Sequence, residues 1–209
     1  MKAFIYTGGT ILPEGITERP KAGDLCIAAD GGYQNAKQMD VRVDVLLGDF
    51  DTLGEPKDVD ERTEILRVPA EKDFTDTQLA VETAIERGAD DIVIIGGLGG
   101  RLDHTLSNLA ILEDLSMRHV FALITDGQNR ARYLNATSML IARSEFRYLS
   151  LLVATDRARG VSIEGCRYPL KNATLTRNAQ YAVSNEITGN CALISLKRGA
   201  LYVIESRDA

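Results

Sequence analysis

Hydrophobic positions in the first two-thirds of the chain fall into short solid runs separated by glycine-rich turns and amphipathic stretches. Residues 3–6, 25–29, 43–47, 64–68, 91–95 and 120–125 are runs of strand length, mostly apolar or β-branched and interrupted only by Asp44, Glu64, Arg67 and Asp91. Residues 33–39 have helical composition. Residues 76–87 place Leu79, Ala80, Ala84 and Ile85 on one helical face, with Thr75 or Asp76 available to cap the start and Gly88 to end it. Residues 105–117 predict a further helix with Leu106, Leu109, Ala110 and Leu112 toward the core. Strands alternating with helices predict an α/β layer with a mostly parallel sheet.

The pattern changes after about Asn129. Runs at 139–141, 148–153, 160–163, 173–175, 181–183, 192–196 and 201–204 are of strand type, and Gly, Asn, Asp and Pro separate them. Short strands at close spacing predict an all-β sandwich. The expected organisation is an α/β domain over residues 1–133 followed by a β-sandwich over 134–209, with the boundary near Tyr133.

In a parallel sheet, ligands bind off the carboxyl ends of the strands. Asp30, Gly31, Asp49 and the glycine loop 96–100 fall at those ends. Asp49 and Asp51 flank Phe50 in one turn, and Lys72, Asp73 and Asp76 form a second charged group at a helix start. Carboxylates gathered this closely repel one another, and a hard divalent cation is the usual relief. Mg²⁺ commonly sits between Asp side chains and substrate phosphates. Four glycines in five positions permit close backbone approach to a phosphate, although neither a P-loop nor a GxGxxG spacing is present. Arg101 offers a forked donor for phosphate oxygens. Asp103 can cap the following helix, contact a nucleotide or orient Arg101, and His104 stands in the first turn. Read alone, the Asp30 turn is an ordinary strand-to-helix connection, and Ser184–Asn185 and Tyr168–Pro169 are ordinary turns.

The 209 residues carry a formal net charge of -6, which argues against a general nucleic-acid binder. No apolar run is long enough to span a bilayer, so no membrane partner is expected. Cys26, Cys166 and Cys191 form no CxxC pair. They read as reduced thiols of a cytoplasmic protein.

Taken together, AlaAspGlyGly (29–32), GlyAspPheAspThr (48–52), LysAspPheThrAsp (72–76), GlyGlyArgLeuAspHis (99–104), the stretch 160–170 and ValSerAsnGlu (183–186) resemble the thiamine pyrophosphokinases, in order and over nearly the whole chain. The resemblance implies pyrophosphoryl transfer from ATP to the hydroxyl of thiamine, giving AMP and thiamine diphosphate. It also implies a homodimer with active sites at the subunit interface. Asp49, Asp51 and Asp76 correspond to the Mg²⁺ acids. Lys72, Asp73, Arg101 and Asp103 correspond to phosphate- or nucleotide-side residues, beside Asp30, Gly31, Gly99, Gly100 and His104. Ser184, Asn185 and Tyr168 correspond to thiamine contacts, and Asp76 is the first choice if a general base exists. The rival readings are a metal-dependent nucleotide phosphohydrolase, which would not need thiamine, and a non-catalytic binding module, which the complete acid set disfavours.

Overall fold

The structure is a computed structural model that describes residues 1–50, 59–69 and 73–208. The chain divides into two compact units, Met1–Gly127 and Gln128–Ala209.

In the first unit, strands β1 (Lys2–Tyr6), β2 (Leu25–Ala29), β3 (Val45–Gly48), β4 (Glu64–Arg67), β5 (Asp91–Ile95) and β6 (Phe121–Thr125) form a parallel sheet in the order β4-β3-β2-β1-β5-β6. Alternate residues of the central strands serve opposite faces, and both faces are covered, which is why these strands are apolar throughout. Phe4, Tyr6, Cys26, Ala28, Leu46, Val93 and Ile95 share one core cluster with Tyr33, Ala36 and Met39 of the first helical segment, α1 (Gly32–Gln38) and its cap. The helix α2 (Asp76–Glu86) packs on β1, β2 and β3, and α3 (Leu102–Met117) packs on β6 and α2. A 3-10 turn, Pro13–Gly15, precedes β2.

Thr75 is the cap of α2, its hydroxyl oxygen accepting the Gln78 amide at 3.2 Å. The expected inner face of α3 needs correction. Its buried positions are Asn108, Ile111, Leu112 and Leu115, while Leu106 and Ala110 face solvent. The helix begins at Leu102 rather than Thr105, and its contact stripe follows Asn108, a polar residue that an apolar count passes over. At its end, His119 takes the left-handed turn (φ 60) where glycine is usual.

The second unit is antiparallel throughout. Strands β7 (Asn129–Asn135), β8 (Ser138–Ala142), β9 (Tyr148–Val153), β10 (Arg157–Glu164), β11 (Leu170–Thr176), β12 (Cys191–Ser195) and β13 (Ala200–Ser206) form two groups, β7-β13-β9 and β11-β10-β12-β8. Leu134, Leu151, Leu201 and Val203 from the first meet Ile141, Val161, Leu175 and Ile194 from the second in one core. One strand here is additional to the expected runs, and one expected run is not a strand. The charged segment around Arg130 is a strand, because Arg130 and Arg132 both pair with buried Glu205 on β13 and the Arg130 guanidinium stacks 4.4 Å from the Phe146 ring. Residues 181–183 form no strand. They follow β9 irregularly, with Leu151 donating to the Ala182 carbonyl at 2.7 Å and Val153 to the Gln180 side chain at 3.3 Å.

Candidate active site

Every strand of the first sheet runs the same way, so the residues after β1, β2, β3, β5 and β6 stand on one rim. Ladder hydrogen bonds continue past the strands: Asp30 donates to Leu47 at 2.8 Å, Thr7 to Ile95 at 2.9 Å and Gly96 to Thr125 at 2.9 Å. The rim is therefore ordered backbone, carrying Asp30, Gly31, Asp49 and the glycine loop that the sequence placed there.

Glycine is required where these loops touch. A Cβ on Gly32 would stand 1.9 Å from the Tyr6 carbonyl oxygen, and one on Gly9 would stand 2.0 Å from that of Gly96. Both clashes are with backbone, so neither residue tolerates a side chain without moving a strand end. Two asparagines that the sequence reading missed hold the loops. Asn35 of α1 donates to the carbonyls of Thr7 (2.6 Å) and Gly9 (2.7 Å), and Asn108 of α3 donates to that of Gly97 (2.9 Å). The Thr105 hydroxyl donates to the Leu98 carbonyl at 3.2 Å. The available signal was an asparagine in a helix at a position that must face inward.

Asp30 follows β2 with φ 43, and Phe50 follows Asp49 with φ 57. Both are left-handed conformations unusual away from glycine, and such residues concentrate at functional sites. Phe50 is buried and the Arg67 guanidinium lies 5.4 Å from its ring, so the turn that carries Asp49 is fastened to the core. Asp76 is the first residue of α2, on the same rim, because α2 begins where the chain has left the carboxyl end of β4. Asp73 is exposed just before it. Asp51 and Lys72 lie outside the described residues. Among the described residues no three His, Cys, Asp or Glu side chains converge at metal-binding distance. The donors at hand, Asp49 and Asp76, are hard carboxylate oxygens, and one or two of these with substrate phosphates and waters are what Mg²⁺ takes.

Arg101 and Asp103 form a two-point pair: Nε to Oδ1 is 3.1 Å and the terminal nitrogen to Oδ2 is 2.5 Å. The hydrogen bond from Arg101 is the main cause that holds the Asp103 carboxyl below its usual range. The helix α3 has no side-chain cap at its start. Asp103 Oδ1 also accepts the His104 amide at 3.0 Å, so its contacts both orient Arg101 and satisfy a free N–H of the first helical turn. His104 is exposed in the same turn. Gly99 and Gly100 end the loop just ahead of Arg101, so the guanidinium is presented directly beside bare backbone.

In the second unit, Tyr168 is 61% exposed while Asn185 is only 5% exposed. Asn185 Nδ2 donates to the Tyr168 carbonyl at 2.8 Å, and its Oδ1 accepts the amides of Tyr168 (3.0 Å) and Glu186 (2.9 Å). Ser184 is exposed and left-handed (φ 56), its amide donating to the Ser150 hydroxyl at 3.0 Å. Tyr168, Ser184 and Asn185 are thus neighbours in space, although Tyr168 and Ser184 are 16 positions apart in sequence.

Two family models match the chain: "Thiamin pyrophosphokinase, catalytic domain" over residues 18–123 and "Thiamin pyrophosphokinase, vitamin B1 binding domain" over residues 137–201. A thiamine pyrophosphokinase of Bacillus subtilis is 32% identical over 165 residues, 77% of either chain. The crystal structure of a thiamine pyrophosphokinase from Bacillus subtilis superposes with a TM-score of 0.86 at 25% identity, covering all of both chains. That of a thiamin pyrophosphokinase family protein from Enterococcus faecalis gives 0.82 at 28%, again over all of both chains. With both halves matched in order and relatives aligned along its length, the chain belongs to the thiamine pyrophosphokinase family.

Proposed function

We propose that this protein is a thiamine diphosphokinase, moving a pyrophosphoryl group from ATP to the hydroxyl oxygen of thiamine to give thiamine diphosphate and AMP. The observation that carries the reading is the pairing, in one chain of this family, of a glycine-lined rim bearing Arg101 and carboxylates with a separate turn bearing Tyr168 and Ser184. Residues 1–133 take the nucleotide and metal, and residues 134–209 take thiamine and form the dimer. The active unit is a homodimer with its sites at the subunit interface. The protein works in the cytoplasm, where its free cysteines stay reduced.

Asp49, Asp51 and Asp76 would hold Mg²⁺, which would supply neutralisation of the phosphate charge. Lys72 and Arg101 clamp the phosphates, and Asp103 keeps the Arg101 fork aimed. Asp30, Gly31, Asp73, Gly99, Gly100 and His104 line the nucleotide. Bare backbone at the glycine loop lets the phosphates approach closely. Pyrophosphoryl transfer of this kind depends on positioning and electrostatics, since the transition state is loose. Asp76 is the first choice for the group that accepts the hydroxyl proton.

Incubation with ATP, Mg²⁺ and thiamine, followed by chromatography, tests the reading. AMP equal in amount to thiamine diphosphate, and only with thiamine present, is the expected result. Nucleotide breakdown without thiamine would replace the reading with a phosphohydrolase.

A further inference from the structure

We infer that Asn185 does not bind thiamine but is a positioning residue, whose buried amide fixes the backbone of Tyr168 so that the exposed Tyr168 ring forms one wall of the thiamine site. The inference rests on the proposed function and replaces the thiamine contact that the family resemblance implied for Asn185.

An asparagine amide offers two acceptor lone pairs and two donor hydrogens. Both lone pairs of Asn185 Oδ1 are occupied, by the amides of Tyr168 and Glu186, and Nδ2 donates to the Tyr168 carbonyl. Three of its four positions are therefore used inside the fold, and the side chain is almost wholly removed from solvent. A ligand would have to break bonds already made in order to reach it. The arrangement also fixes the amide's orientation, because a flipped group would set NH₂ against two backbone N–H donors.

The clamp is itself anchored. Asn185 exchanges both backbone hydrogen bonds with Leu149 at the start of β9 (2.8 and 2.9 Å), so its main chain cannot drift. Next to it, Arg167 donates its backbone amide to the Glu186 carbonyl at 2.9 Å, and the Glu186 carboxylate faces both Arg147 (3.1 Å) and Arg167 (3.9 Å). The segment of Tyr168 is thereby tied to that of Asn185 through two successive residues. The product of this bonding is an exposed tyrosine on a fixed backbone. An aromatic face attracts a cation, and an aromatic ring cation such as thiamine can both stack on it and be attracted by it. A side chain that orders the ring before binding removes part of the ordering cost of binding.

Two experiments test this. In steady-state kinetics, Asn185→Ala should raise KM for thiamine roughly tenfold, the size of one lost buried hydrogen-bonded contact. KM for ATP should stay within about twofold. In a Tyr168→Ala background the same substitution should add nothing, since a residue that acts through another has no effect once that other is gone. A full, additive penalty in both backgrounds would mean direct contact with thiamine and would overturn the inference, as would no penalty in either. The second experiment needs no turnover. The chain has no tryptophan, so Tyr168→Trp supplies a single tryptophan that can be excited apart from the remaining tyrosines. Asn185→Asp keeps the side-chain volume and the two accepted amides but sets an oxygen against the Tyr168 carbonyl. In the Tyr168→Trp protein it should lower the anisotropy of the tryptophan without thiamine and weaken quenching by thiamine. Unchanged anisotropy would sink the clamp even if the enzyme assay succeeds. If the wild type makes no thiamine diphosphate, the proposed function fails independently of the anisotropy result.

Discussion

The two candidate regions, one in each unit, are built from different materials. The rim of the first unit is mostly backbone: strand ends, glycines that leave no room for Cβ, and carbonyls held by Asn35 and Asn108. The turn in the second unit is mostly side chain: an exposed tyrosine, a left-handed serine and a buried asparagine. A phosphate chain is met well by N–H groups and a few charges, whereas an aromatic cation needs ring faces and shaped edges. The difference teaches that substitutions should act differently in the two places. In the rim, adding atoms does the damage. In the turn, and in the sandwich that carries it, removing atoms does.

Four substitutions sharpen that comparison. The largest effect belongs to the rim's charge. Asp49→Asn should lower kcat roughly a thousandfold, about 4 kcal/mol of activation energy, with an unchanged melting curve. A mutant turning over at the wild-type rate would remove Asp49 from the mechanism. Next, Glu205→Ala in the sandwich should cost about 3–4 kcal/mol of stability, because Arg130 and Arg132 lose the carboxylate they share. At roughly 2–4 °C per kcal/mol for a chain of this size, the melting temperature should fall by about 10 °C. Gly9→Ala should cost about 2–3 kcal/mol, since the added methyl meets the Gly96 carbonyl. It should also raise KM for ATP more than KM for thiamine, and the reverse pattern would contradict the assignment of the rim to the nucleotide. Smallest, Thr75→Ala removes the cap of α2 and should cost about 1 kcal/mol in a denaturant titration.

Much of the first unit was legible because its central strands are buried on both faces, and burial writes itself as apolar runs, whereas the edge strand β4 is largely exposed. The helix α2 was legible for a similar reason: an apolar stripe, a threonine start and a glycine end all agree. The misreadings share a cause, which is polar residues doing interior work. Arg130 hid β7, since a charge is not expected inside, yet Glu205 and the Phe146 ring compensate it there. Asn108 shifted the reading of α3 by drawing the buried stripe away from Leu106. Residues 181–183 look like a strand because their apolar side chains are real, but the chain lies beside β9 without regular pairing. Of the candidate site residues, Asp30, Gly31, Asp49 and Arg101 were singled out by position at the strand ends and by chemistry, while the metal role proposed for Asp76 came from the family resemblance. What no pattern announces is the partner of a given amide. That Asn185 binds Tyr168 and that Asn35 binds Thr7 and Gly9 depends on contacts between elements distant in sequence.

The locking of the glycine loops also bears on speed. Loops that must fold around a nucleotide before it can react add a conformational step to each cycle, and that step often sets the turnover rate. Here the loops after β1 and β5 are already fixed to each other and to two helices before any ligand arrives. Backbone fixed in this way leaves little of its own to rearrange between encounter and reaction.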